Sequence, residues 1–189
     1  MKTRLLMLSV AMSCIFAGNA IALTKAEYDT QKKQISADYK VNRDKCGSLK
    51  ANAKDVCVSE AKGAEKVAKA ELESLYKPSA KHTRDVAMAK GDTAYDTAKE
   101  KCDDLAGNAK DVCVKDAKAA HVKALEDAKV VQAATDGNAN KTANVNEARK
   151  EASAETREAQ YKAARERCDS LAGNAKDACQ AQAKSKFGL

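Results

Sequence analysis

Six cysteines in three equally spaced pairs are the residues most able to do chemistry in this chain: Cys46 and Cys57, Cys102 and Cys113, Cys168 and Cys179. Each pair bounds a twelve-residue stretch that reads Cys, two residues, Leu, two residues, Asn-Ala-Lys-Asp, one residue, Cys. Three chemistries are open to such pairs, namely structural disulfides, metal ligation and thiol redox exchange. Zinc and copper sites of recognisable type place their cysteines about two to four residues apart, often with histidine. Here ten residues intervene, and the chain has only His82 and His121. A thiol oxidoreductase calls for Cys-x-x-Cys on a thioredoxin-like scaffold, and neither is visible. The spacing therefore favours disulfides within each copy, with metal binding and thiol redox chemistry as the alternatives.

The compartment decides between them, and the first residues speak to it. Lys2 and Arg4 precede an apolar run over 5–16, and Ala20-Ile21-Ala22 follows. This pattern predicts a secretory signal peptide over 1–22, cleaved after Ala22. Its apolar run is too short for a bilayer span of about 20 residues, and no later stretch approaches that length. Acylation of Cys14 would call for Leu and a small Gly or Ala at positions 11 and 13, where Ala11 and Ser13 stand. Export places the remaining six cysteines where disulfides persist.

Removal of 1–22 takes two of the 34 basic residues and one of the seven cysteines, leaving a net charge of +5 against 27 acidic residues. Acids and bases are interleaved, which describes a solvated surface and argues against a nucleic-acid groove. The expected partners are an envelope protein or an anionic envelope surface, reached by a field screened within about 8 Å at physiological salt. No cofactor and no transmembrane segment of the mature chain are expected. With two histidines, neither a Ser-His-Asp nor a Cys-His arrangement can be assembled, so the reading is non-enzymatic.

The elements that hold the cysteines follow from periodicity. Apolar positions at Ile35, Tyr39, Cys46 and Leu49 are spaced by four and three along one helical face. Met88, Tyr95, Cys102 and Leu105 repeat the seam, as do Tyr161, Ala164, Cys168 and Leu171. Tyr39, Tyr95 and Tyr161 each stand seven residues before the first Cys, two turns away on the same face. They read as seam packing, with ligand stacking as the alternative. After each second Cys the inward positions are small: Cys57, Ala61, Ala64, Ala68 and Leu75, then Cys113, Ala117, Ala120 and Ala124.

Between the cysteines, Gly107 and Gly173 suit a left-handed helix end, and Asn108 and Asn174 suit the N-cap of a new helix. Asp111 and Asp177 then fall at its third position, favourable to the helix dipole. The first copy has Ala51 in place of glycine but keeps Asn52 and Asp55. Each stretch thus predicts a corner between two antiparallel helices, with both cysteines at one height above it. A disulfide there closes a short loop and contributes about 3 kcal/mol in the chain-entropy model. That is large against a seam made mostly of alanine.

Pro78 ends the first unit, and Asp136, Gly137, Asn138 and Asn140 mark the second boundary. Linkers are expected at 77–83 and 135–142. The fold expected is all-α, with three disulfide-stapled antiparallel helical hairpins at 23–77, 78–135 and 136–189, elongated or loosely packed and without a large core.

The repeated stretch, most fully Cys102-Asp103-Asp104-Leu105-Ala106-Gly107-Asn108-Ala109-Lys110-Asp111-Val112-Cys113, together with the leader, resembles a family of small exported Gram-negative proteins. These are Ala- and Lys-rich and go under the description TolA-like cell-envelope proteins. The resemblance covers the mature chain and implies a periplasmic cell-envelope role. TolA itself is similar only in its Ala/Lys/Glu-rich helix, seen here over 147–167; it pairs a membrane-anchored stalk with a separate globular end that this chain does not match. The function expected is therefore an exported structural or interaction protein, with a metal-binding or thiol-redox stress protein and a hydrophilic chaperone-like protein as alternatives.

Overall fold

A computed structural model describes residues 23–189; the expected leader, with Cys14, lies outside the described residues. Among the described residues there are six α-helices and no strand: α1 (Lys25–Lys45), α2 (Ala51–Tyr76), α3 (Ala80–Cys102), α4 (Gly107–Thr135), α5 (Lys141–Glu166) and α6 (Gly173–Phe187). Thr24 opens the first with a full capping box, its hydroxyl accepting from the Glu27 N–H while the Glu27 carboxylate accepts from the Thr24 N–H. Ser79 opens α3 with a single cap bond, its hydroxyl accepting from the His82 N–H. Gly188 closes α6 in the left-handed conformation. None of these helices is long and apolar enough to cross a membrane.

Each helix packs only against its neighbours in sequence, so the six form a single antiparallel layer. The three stapled corners line one edge of that layer, and the turns at Pro78 and Gly137 line the other. The expected all-α, hairpin-built fold is present. The expected linkers are shorter than 77–83 and 135–142: α3 begins at Ala80, which puts His82 in its first turn, and the second turn spans only 136–140. The hairpins also do not hang apart. α2 packs on α3, and α4 on α5, more extensively than α1 on α2 or α5 on α6.

A one-layer array has no central core, and burial confirms it. Apart from the cysteines, Leu72 and Val145, the buried apolar side chains are alanines, at Ala61, Ala89, Ala119, Ala128, Ala152, Ala163 and Ala183. Of the inward positions expected, Ala64 and Leu75 in α2 and Ala120 in α4 are exposed, and in α2 Leu72 is buried instead. The reason is geometric: an interior helix has a neighbour on each side and must present two stripes of small residues, so a single seam spacing misplaces part of each. The second stripe is visible at glycines. A Cβ on Gly63 of α2 would stand 2.0 Å from the Thr93 methyl of α3, and one on Gly91 of α3 would stand 2.9 Å from the Ala124 Cβ of α4.

At the corners, Gly107 and Gly173 do adopt the left-handed conformation, with φ of +54° and +55°. Ala51 takes the same conformation at φ +49°, which costs an L residue about 1–2 kcal/mol. Ala51→Gly is therefore expected to raise stability by about 0.5–1 kcal/mol, the strain relieved exceeding the extra freedom glycine gives the unfolded chain. Gly107→Ala is expected to lower it by about as much. Urea midpoints of the two variants test this pair, and the opposite ordering would contradict the conformational argument.

Candidate functional site

The corners carry the residues singled out by sequence, and their geometry can be built upward from where the first helix of each hairpin stops. α3 ends at Cys102, and the Leu105 N–H turns back to the Cys102 carbonyl at 3.0 Å. The Leu49 N–H and the Leu171 N–H make the same 3.0 Å bond to Cys46 and Cys168. The chain then runs extended through Lys50, Ala106 and Ala172 before the left-handed residue begins the next helix. The glycine is thus the first residue of the new helix and not the end of the old one. Asn108 and Asn174 are not N-caps, and Asp111 and Asp177 fall at the fifth helical position, not the third.

The cysteines pair within each copy: Cys46 with Cys57, Cys102 with Cys113, Cys168 with Cys179, at Cα separations of 5.6, 5.7 and 5.7 Å. Those spans lie in the middle of the disulfide window. Cys46, Cys102 and Cys168 are wholly buried. The sulfurs are consumed by these bonds, so metal ligation or thiol exchange at a corner requires prior reduction. No group of three or more metal-ligating side chains converges among the described residues.

Because the helix stops at the first Cys, the leucine three residues later leaves the seam. Leu49, Leu105 and Leu171 are 40%, 44% and 42% exposed, where the periodicity placed them inward. The motif lysine spans the corner in the second and third copies. Lys110 pairs with Asp103 and Lys176 with Asp169, both at 2.8 Å, holding the Asp169 carboxyl below and the Lys110 ammonium above their ordinary values. These pairs are exposed and contribute little to stability. In the first corner Gly47 stands where the others have aspartate, so Lys54 has no equivalent partner.

The motif asparagine does what its sequence position did not reveal. The Asn52 side-chain N–H donates to the Glu100 carbonyl at 2.6 Å, and the Asn108 side-chain N–H donates to the Glu166 carbonyl at 3.1 Å. Each reaches from its own corner to the end of the helix entering the next corner. Ion pairs repeat the link, Lys101 with Glu60 at 3.2 Å and Arg167 with Asp116 at 2.6 Å. The only sequence signal was that the asparagine stands at one position in all three copies, including the copy without glycine.

Two of the three seam tyrosines pack on rings of the facing helix, and Tyr39 is half-buried. Tyr95 stacks on His121 with ring centroids 4.6 Å apart, and Tyr161 meets Phe187 edge-on at 6.5 Å. The His121 side chain is only 19% exposed, and its Nε2 lies 2.7 Å from Asp92 Oδ1. The other Asp92 oxygen accepts from Lys66 of α2 at 2.7 Å, so one carboxylate of α3 ties together α2 and α4. Burial pushes the Asp92 carboxyl up, but the hydrogen bonds and charges of Lys66 and His121 outweigh it and hold the group below its ordinary value. A carboxyl depressed on folding contributes stability at neutral pH that is lost as pH falls below its ordinary value of about 4 and through the lower folded one. Asp92→Asn is expected to destabilise at pH 7 and to close on the parent as pH falls below about 4, as read from urea midpoints against pH. A difference that widened on acidification would contradict this assignment.

The three corners present a periodic edge, each with its disulfide buried at the first cysteine and its leucine exposed. No family model matches the chain, and no curated protein or solved structure is similar to it.

Proposed function

We propose that this chain is a non-enzymatic, exported cell-envelope protein that works in the periplasm as a structural or interaction element. The observation that carries the reading is the set of three disulfides at equivalent corners. Bonds of this kind form and persist in oxidising compartments and are rare in the reducing cytosol, in agreement with the leader-like pattern of 1–22 and with the resemblance to TolA-like envelope proteins. An alanine-rich layer without a thick core depends on such staples for order, and its repeated surface, with leucines held in solvent at one edge, is a form suited to contact more than to chemistry.

The experiment is expression of the whole chain in a Gram-negative host, followed by osmotic-shock fractionation and N-terminal sequencing. The expected result is a periplasmic protein beginning at Leu23 with no free thiol. A cytosolic protein that keeps Met1 and titrates as six or more free thiols would overturn the proposal.

A further inference from the structure

The packing between hairpins has a direction, and among the described residues the outer faces of α1 and α6 have no helix packed on them. Where one hairpin meets the next, the earlier hairpin supplies its second helix and the later one its first. At α2–α3 and again at α4–α5, the same motif positions meet: asparagine to a carbonyl, and acid to base at the corner. The crossing pair is Gly63 with Thr93 at the first of these interfaces, and Ala119 and Ala159 hold the same positions at the second. Ala163, at the matching position in α5, is 2% exposed.

The outer faces of the two end helices carry the unmatched halves of this interface. On α1, Ala37, Val41 and Lys45 occupy the positions of Thr93, Thr97 and Lys101 in α3. All three are exposed, Val41 at 54% where its counterpart Ala163 is at 2%. On α6, Asn174, Gln182 and Ser185 occupy the positions of Asn52, Glu60 and Gly63 in α2, and they too are exposed. Repeat arrays that end in solvent carry capping repeats with a polar outer face. Here the last repeat exchanges the interface acid for Gln182, which can still accept from a lysine, and keeps a small residue at the crossing.

We propose that the chain associates head to tail, the outer face of α6 in one copy docking on the outer face of α1 in the next and continuing the hairpin-to-hairpin register across copies. Such a contact is heterologous: it uses two different surfaces, does not close on itself as a two-fold dimer would, and grows into an open row. Asn174 takes the Asp44 carbonyl as Asn52 takes that of Glu100. Because α6 has 15 residues against 26 in α2 and 29 in α4, the contact covers only the corner-proximal half of α1 and is weaker than the internal interfaces. The inference rests on the internal interfaces and stands apart from where the protein acts.

Sedimentation equilibrium of the unreduced protein, purified as cells accumulate it, tests the proposal from about 10 µM to about 1 mM, the range of contacts below standard interface size. The average mass is expected to rise without reaching a plateau at the dimer. Ala37→Arg and Ser185→Arg each place a bulky charge on one exposed end, and helicity by circular dichroism checks that the fold is kept. Each variant alone is expected to remain monomeric, whereas their equimolar mixture, which retains one intact end of each kind, is expected to stop at a one-to-one dimer. A parent protein that is monomeric throughout, or a single variant that still associates like the parent, would overturn the inference.

Discussion

Alanine at both Cys168 and Cys179 is expected to release α6 while leaving the rest of the layer folded. α6 is the shortest helix, touches only α5 and the turn before it, and buries a single alanine, Ala183. Its side of the contact holds little apolar area, and each Å² removed from water contributes only about 25 cal/mol. The staple closes a loop over a sequence separation of 11 and is worth about 3 kcal/mol in the chain-entropy model. That figure exceeds what the α5–α6 seam supplies, so local opening becomes easier by about 10²-fold. Hydrogen exchange reads this directly: protection over α6 falls by that factor, and protection over α2, α3 and α4 is unchanged. The same double alanine change at Cys102 and Cys113 is expected to cost less order, because α3 and α4 are packed more extensively and each is held by another neighbour. Alanine is the replacement of choice, since a hydroxyl at the fully buried Cys168 would add the cost of an unmet polar group. Equal loss at the two staples would contradict the unequal packing described above.

Gly63→Ala is expected to have the second-largest effect, a destabilisation of about 1–3 kcal/mol from overpacking. The added Cβ would stand 2.0 Å from the Thr93 methyl and 3.0 Å from its Cβ, so α2 and α3 must separate or Thr93 must rotate and give up its hydroxyl bond to the Gly63 carbonyl at 3.4 Å. Separation would also stretch the Asn52 and Lys101 links at the corner and the Lys66–Asp92 pair further along. The chain contains its own remedy. At the equivalent α4–α5 crossing the two positions are Ala119 and Ala159, so Gly63→Ala combined with Thr93→Ala rebuilds a pairing that already fits. The double variant is expected to recover most of the loss, a coupling of about 1–2 kcal/mol between neighbours. Thermal midpoints of the two single variants and the double variant measure it. Additive losses would show that the two interfaces do not share a register, and would remove the basis for head-to-tail association as well.

Much of this architecture is legible from local rules, and its failures share one cause. The pairing of each cysteine with the partner in its own stretch follows from two helices meeting at a corner, and the turns at Pro78 and Gly137 fall where breakers stand. Leu49, Leu105 and Leu171 were misplaced because a seam spacing holds only while the helix continues, and the helix stops at the cysteine. Asn52 and Asn108 resembled N-caps because capping is a local use of asparagine, whereas their partners lie 48 and 58 residues away. His121 looked solitary for the same reason; Asp92, 29 residues distant, is brought to it only by the fold. Periodicity describes one face of a helix, while in a single layer every interior helix has two. Gly63 interrupts an alanine stripe for the neighbour on the far side, and nothing within a helical turn of it says so.

The central claim is that three staples, each within its own corner, hold this layer. Lysine or arginine precedes every cysteine stretch and divides it, so trypsin places the six cysteines in six different peptides: 46–50 and 55–62, 102–110 and 111–115, 168–176 and 177–184. Mass mapping of the protein digested without reductant, with free thiols blocked at lysis, reads the pairing outright. The expected result is three linked species that join 46–50 to 55–62, 102–110 to 111–115, and 168–176 to 177–184. Blocked free thiols, or peptides linked between corners, would contradict it.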